Sequence, residues 1–239
     1  MDVGKAFTFV FEDKDWIKKV LIAAGILLVG IFFSWVLLIP LILASVLLGG
    51  YVVEITRRVI RGDVDTLPQW DNWSALIVDG LKVVVIAIVY SLPLIIVSVC
   101  LGIPIGILSD NAQEISSLHS ALLSCISMLY AIAVTLVLPA AIGKFADTGD
   151  LGAAFRFGEV FSLVRNNFST YLVTLVMSWV AGLIGSLGTL ICGVGWLATY
   201  PYSLMVTGHL YGQAYVAATG GAQATILPPE APQAPEVAV

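Results

Sequence analysis

The run VLIAAGILLVGIFFSWVLLIPLILASVLLGGYVV, residues 20–53, holds no Asp, Glu, Lys or Arg over 34 residues. As one helix it would be about 50 Å long at a rise of ~1.5 Å per residue, against a hydrocarbon core of ~30 Å. It therefore reads as two membrane spans folded back on each other. It is also too long for the ~7–15-residue apolar core of a secretory signal. The corner falls at Ser34-Trp35, which suits an interface, with Pro40 in the first turn of the returning helix.

Composition carries the same message to the whole chain. Of 239 residues 59% are hydrophobic and 11% charged, with a mean hydropathy of +0.99, whereas roughly a quarter of a soluble domain is charged. The predicted architecture is an all-α membrane protein of about six transmembrane helices arranged as three hairpins. The spans fall near 17–35, 40–58, 82–107, 119–143, 168–189 and 197–218, with kinks expected at Pro93 and Pro104. Residues 1–219 form one polytopic domain, and 220–239, ending in TILPPEAPQAPEVAV, read as a disordered Pro-rich cytoplasmic tail.

All eleven cations lie at one set of span ends: Lys5, Lys14, Lys18, Lys19, Arg57, Arg58, Arg61, Lys82, Lys144, Arg156 and Arg165. Positive charge is retained on the cytoplasmic side, so both termini are expected in the cytoplasm and the protein in the plasma membrane as a multi-pass chain. The formal net charge of −5 argues against nucleic acid as a partner.

The connector RRVIRGDVDTLPQWDNWSALIVDGL aligns, at an offset of 87 residues, with KFADTGDLGAAFRFGEVFSLVRNNF. Arg57 falls on Lys144, and Gly62-Asp63 falls on Gly149-Asp150. Trp70, Trp73, Leu76, Ile77 and Leu81 fall on Phe157, Val160, Leu163, Val164 and Phe168. Steps of three and four put these side chains on one helical face, so each segment reads as a short amphipathic helix on the cytoplasmic face after a Gly-Asp turn. Trp16, Trp70, Trp73, Phe157 and Phe161 are the expected membrane-interface residues. FTFVF followed by Lys14, Trp16, Lys18 and Lys19 is a weaker third copy. The alternative is a set of basic aromatic connectors in chance register.

The features GGYVVEITRRVIRGD, LPQWDNW and DGLK, with FTFVFEDKDWIKKVLI and GDLGAAFRFGEVFSLVRNNFSTYL, resemble domain-of-unknown-function family 4013, polytopic membrane proteins of bacteria and archaea. The likeness covers roughly residues 5 to 217. It implies a prokaryotic membrane topology and carries over no catalytic residue, since the family has no assigned activity.

No nucleophile elbow, Walker loop, H-E-x-x-H or G-x-G-x-x-G is present. No enzyme activity, cofactor or metal site is therefore expected. His119 and His209 fall on different spans and opposite faces, and Cys100, Cys125 and Cys192 read as small buried hydrophobes. Intramembrane polar contacts are expected at Glu54, paired with Arg57 or Arg58 one turn on, and at His209 with Gln213. Asp71 and Asp79 read as solvated helix-face charges. The sequons at Asn72 and Asn167 are discarded as cytoplasmic. Small residues at Gly102/Gly106, Ser178/Gly182/Ser186 and Gly208/Gly212 permit close helix packing within the chain or in a homo-oligomer.

Three functional classes remain. A structural or accessory subunit of a membrane assembly, with lipids and proteins as partners, accounts best for the aromatic inner face. A small-molecule or ion permease or channel would need more polar groups at mid-membrane than the spans offer. A lipid-modifying enzyme built on Asp71 or Asp79 lacks a nucleophile or metal set.

Overall fold

The computed structural model describes residues 1–34, 39–108, 113–190 and 195–220, and side-chain surroundings for all of these except 34, 101–108 and 113–119. Within them run nine α-helices: α1 Val3–Glu12, α2 Trp16–Ser34, α3 Ile39–Ile60, α4 Trp73–Leu108, α5 Gln113–Thr148, α6 Leu151–Ala154, α7 Phe157–Asn166, α8 Phe168–Leu187 and α9 Trp196–Thr219. Five are long and apolar enough to cross a membrane: α2, α3, α4, α5 and α8. Residues 35–38, part of the expected corner between the first two spans, and the tail beyond Gly220 lie outside the described residues, as does Cys192.

The expected sixth span coincides with α9, which at 24 residues is long enough but carries Thr, Ser, Gly, His and Gln. It departs from the apolar pattern because its neighbours are protein. Helices α1, α2, α3, α5 and α8 pack around it, and His209, Leu210, Ala214 and Val206 are all fully buried. An interior helix needs no lipid-facing stripe.

Helices α3 and α9, with the buried last turns of α5 at 140–146, form the inner layer. On α9, Gly208 lies against Val52 and Ile55 of α3, and Gly212 lies against Thr56 and Val59. Both glycines of this pair are therefore spent inside the chain, and Thr56 Oγ1 donates to the Gly208 carbonyl at 3.0 Å. Gly143 of α5 abuts the Tyr215 ring of α9. Val53, Ile142, Phe145, Tyr211 and Ala214 fill the space between the three.

Each outer helix bridges two inner ones. Helix α2 packs on α3 and α9, α4 on α5 and α3, and α8 on α9 and α5. All three inner helices stop at a left-handed glycine: Gly62 (φ 90°), Gly149 (φ 70°) and Gly220 (φ 81°). At the first, Asp63 N–H donates to the Arg58 carbonyl at 3.0 Å and Gly62 N–H to Val59 at 3.1 Å, the paired bonds of a Schellman end. At the second, Gly149 N–H reaches the Phe145 carbonyl at 2.8 Å.

The two aligned connectors differ. The second contains a separate amphipathic helix, α7, cut from α8 at Asn167 (φ −125°, ψ 39°), whose Nδ2 donates to the Leu163 and Ala218 carbonyls. The first does not: Trp73 to Leu108 is one 36-residue helix that runs through Pro93, and of the expected short helix only the part from Trp73 on is helical, as its first turns. Cys100 and Cys125 are exposed on the protein surface, not buried. With only two layers, the outward sides of α4 and α5 have no further protein to cover them.

Candidate functional site

The charged ends of the helices carry a crown of three segments: α1, the connector 61–72, and α6 with α7. A tyrosine hydroxyl ties each to the bundle by donating to a main-chain carbonyl. Tyr202 reaches Phe7 at 2.8 Å, Tyr51 reaches Pro68 at 2.9 Å, and Tyr90 reaches Ala154 at 2.9 Å.

Connector 61–72 is held most closely. Its polar main chain must be satisfied when buried, and two side chains do this at Leu67. Lys19 Nζ donates to the Leu67 carbonyl at 2.9 Å and to Asp13 Oδ2 at 2.7 Å, and the same carboxylate accepts from Leu67 N–H at 3.0 Å. The Lys19–Asp13 pair is almost fully enclosed, with side-chain exposures of 4% and 7%. Burial works against the Asp13 charge, but the Lys19 ammonium and the Asp15 and Leu67 amides outweigh it and hold the carboxyl below its usual range.

Trp70 is enclosed too. It is 8% exposed, stacks on Tyr51 at 4.1 Å with parallel rings, and donates its indole N–H to the Lys19 carbonyl at 3.3 Å. It therefore faces protein and is not an exposed interface anchor; the folding back of 61–72 against α2 and α3 turned it inward. Trp73, Phe157 and Phe161 stay open, at 42%, 53% and 62%. Trp16 is half-buried, edge-on to Phe11 at 5.0 Å.

Glu54 accepts from Arg57 at 2.6 Å and lies 3.6 Å from Arg58. Arg57 also donates to Asp79 of α4 at 2.8 Å and to the Ala146 carbonyl of α5 at 3.3 Å, so one guanidinium joins three helices. Asp79 is thus a half-buried structural partner, with Lys82 3.8 Å away, and not a solvated charge. Asp71 remains exposed on the connector.

His209 and Gln213 meet on α9. His209 Nε2 lies 3.1 Å from the Val64 carbonyl, which can only accept, so this nitrogen carries the proton. Nδ1 then accepts from Gln213 Nε2 at 3.2 Å, and Gln213 donates also to the Asp2 carbonyl at 2.8 Å. Phe9 covers the imidazole at 4.3 Å. His119 lies on α5, but its side chain is outside the described set. On the third segment, Lys144 bonds Glu159 and holds it below the usual carboxylate range.

Sequence reasoning missed the Asp13–Lys19–Leu67 and His209–Val64 connections. The one available signal was Lys19 at the edge of the apolar run, since Leu67 lies 48 residues away and Val64 lies 145 residues from His209.

Several long apolar helices capped at one end by charge define a multi-pass helical membrane protein. The chain matches the family described as "Protein of unknown function (DUF4013)" over residues 33–194, and it belongs to that family. No curated protein and no solved structure matches it.

Proposed function

We propose that the chain is a non-enzymatic structural or accessory subunit of an assembly in a prokaryotic plasma membrane. It crosses the bilayer six times as three hairpins, α2–α3, α4–α5 and α8–α9. Both termini are cytoplasmic, and α1, connector 61–72 and α7 lie along the cytoplasmic face. The confinement of every Lys and Arg to the ends carrying these segments supports that orientation.

The observation that carries the reading is where the polar side chains are spent. Glu54, Arg57, Asp79 and His209 bind one another, backbone carbonyls or Gln213, and the inner helices meet backbone to side chain through Gly143, Gly208 and Gly212. That is the chemistry of a rigid frame presenting an aromatic and cationic face to lipids and proteins.

Isolation of the tagged full-length chain from its native membrane in mild detergent is expected to yield stoichiometric protein partners. Saturable solute flux through the purified chain in liposomes, with no partner in the isolate, would replace this reading by a permease or channel. That second reading draws on three buried oxygens without a partner among the described residues: Tyr171 Oη, Ser178 Oγ and Gln213 Oε1.

A further inference from the structure

Most cations of the crown are bound to carboxylates, but among the described residues Lys14 and Lys18 have none within ion-pair distance. The two are exposed and, with Asp15, Ile17, Leu21 and Ile22, line a shallow, open groove at the start of α2. Below them the outward face of α2 is apolar and open: Ile17, Leu21, Leu28 and Phe32 are each more than half exposed. Their spacings of four, seven and four keep them within one stripe. Gly25, with open space where a side chain would project, leaves a dent along its edge. At ~1.5 Å per residue the track from Ile17 to Phe32 is about 22 Å long, more than the ~15 Å half-thickness of the hydrocarbon core.

We propose that this groove is a binding site for one anionic phospholipid of the cytoplasmic leaflet. Its phosphodiester lies between Lys14 and Lys18 and one acyl chain follows the Ile17–Phe32 track past Gly25. Two ammonium groups and the Asp15 carboxylate leave a net charge of +1, which complements a singly charged phosphodiester. Asp15 makes no ion pair among the described residues and can accept hydrogen bonds from headgroup hydroxyls, which favours a glycerol headgroup over a choline one. The inference rests on the membrane placement proposed above and is independent of whether the protein is a frame or a permease.

The test uses the full chain reconstituted in vesicles of equimolar phosphatidylglycerol and phosphatidylcholine, extracted in mild detergent, with retained lipid counted by native mass spectrometry. Wild type is expected to retain one phosphatidylglycerol in preference to phosphatidylcholine. Two lysines near an anionic headgroup contribute enough that Lys14→Gln/Lys18→Gln should lower this preference about tenfold or more. Gly25→Leu should reduce retention with the charge unchanged. Arg61→Gln/Arg165→Gln removes two other exposed cations that have no ion pair among the described residues and should leave the preference intact. Equal loss in that control, or undiminished retention in the lysine variant at an unchanged melting temperature, would overturn the site. Neither result would touch the partner isolation or flux measurements that decide the function.

Discussion

A methyl group at residue 50 has no room: a Cβ there would overlap the Leu76 carbonyl of α4, and one at Gly80 would overlap that of Val46. These glycines set how closely α3 and α4 approach. Gly50→Ala is expected to force the helices apart and cost at least the ~1–3 kcal/mol of an overpacked core. Gly182→Ala, at a site with nothing within 4 Å, should leave thermal unfolding in detergent unchanged. The Asp13–Lys19 pair makes a second residue-scale prediction. Because the folded Asp13 carboxyl titrates below its ordinary value of 3.8, its contribution is present above that value and is lost as pH falls through the depressed one. Asp13→Asn leaves the Lys19 ammonium enclosed without its counter-charge, at a cost of about 3–5 kcal/mol near neutral pH. Unfolding midpoints followed from pH 7 to pH 3 should show the gap between wild type and variant closing only at the acid end.

At the level of elements, the helices were legible because membrane solvation leaves a long uncharged run for each lipid-facing span. Residues 20–53 resolve into α2 and α3 for that reason, and the Gly-Asp repeat at 62–63 and 149–150 marks two helix ends because both glycines sit at positive φ. The Glu54–Arg57 spacing was equally visible, since both groups share a helix. What pattern could not supply was the course of 61–72. A period of three and four places Trp70 and Trp73 on one face only if both are helical, and Trp70 precedes the first turn of α4. Its burial depends on Tyr51, Lys19 and Asp13, which are brought to it by tertiary packing. The two tryptophans are therefore expected to separate in single-tryptophan variants reconstituted with brominated lipids. Trp73 fluorescence should be quenched and Trp70 fluorescence largely spared. Comparable quenching of both would mean that the connector lies open in the bilayer boundary.

Over the whole molecule, three inner helices end at left-handed glycines, three outer helices each bridge two inner ones, and three tyrosines clamp three connector segments. The sixth span is less apolar in sequence than α3 and α5 because α9, largely enclosed by protein, is free of the lipid-facing constraint on its composition. Such an arrangement makes rigidity between hairpins a testable property. Gly49 of α3 and Val83 of α4 belong to different hairpins, and a Cβ at residue 49 would stand 4.0 Å from that of Val83, inside the ~3.5–4.5 Å range that a disulfide spans. In a chain with Cys100, Cys125 and Cys192 replaced by serine, Gly49→Cys/Val83→Cys should cross-link on mild oxidation and raise the unfolding temperature. A frame keeps its partners when the first two hairpins are locked together, so the oxidised and reduced forms should retain equal partner stoichiometry in detergent. Loss of partners on oxidation, regained on reduction, would instead identify relative movement of α3 and α4 as part of what the protein does.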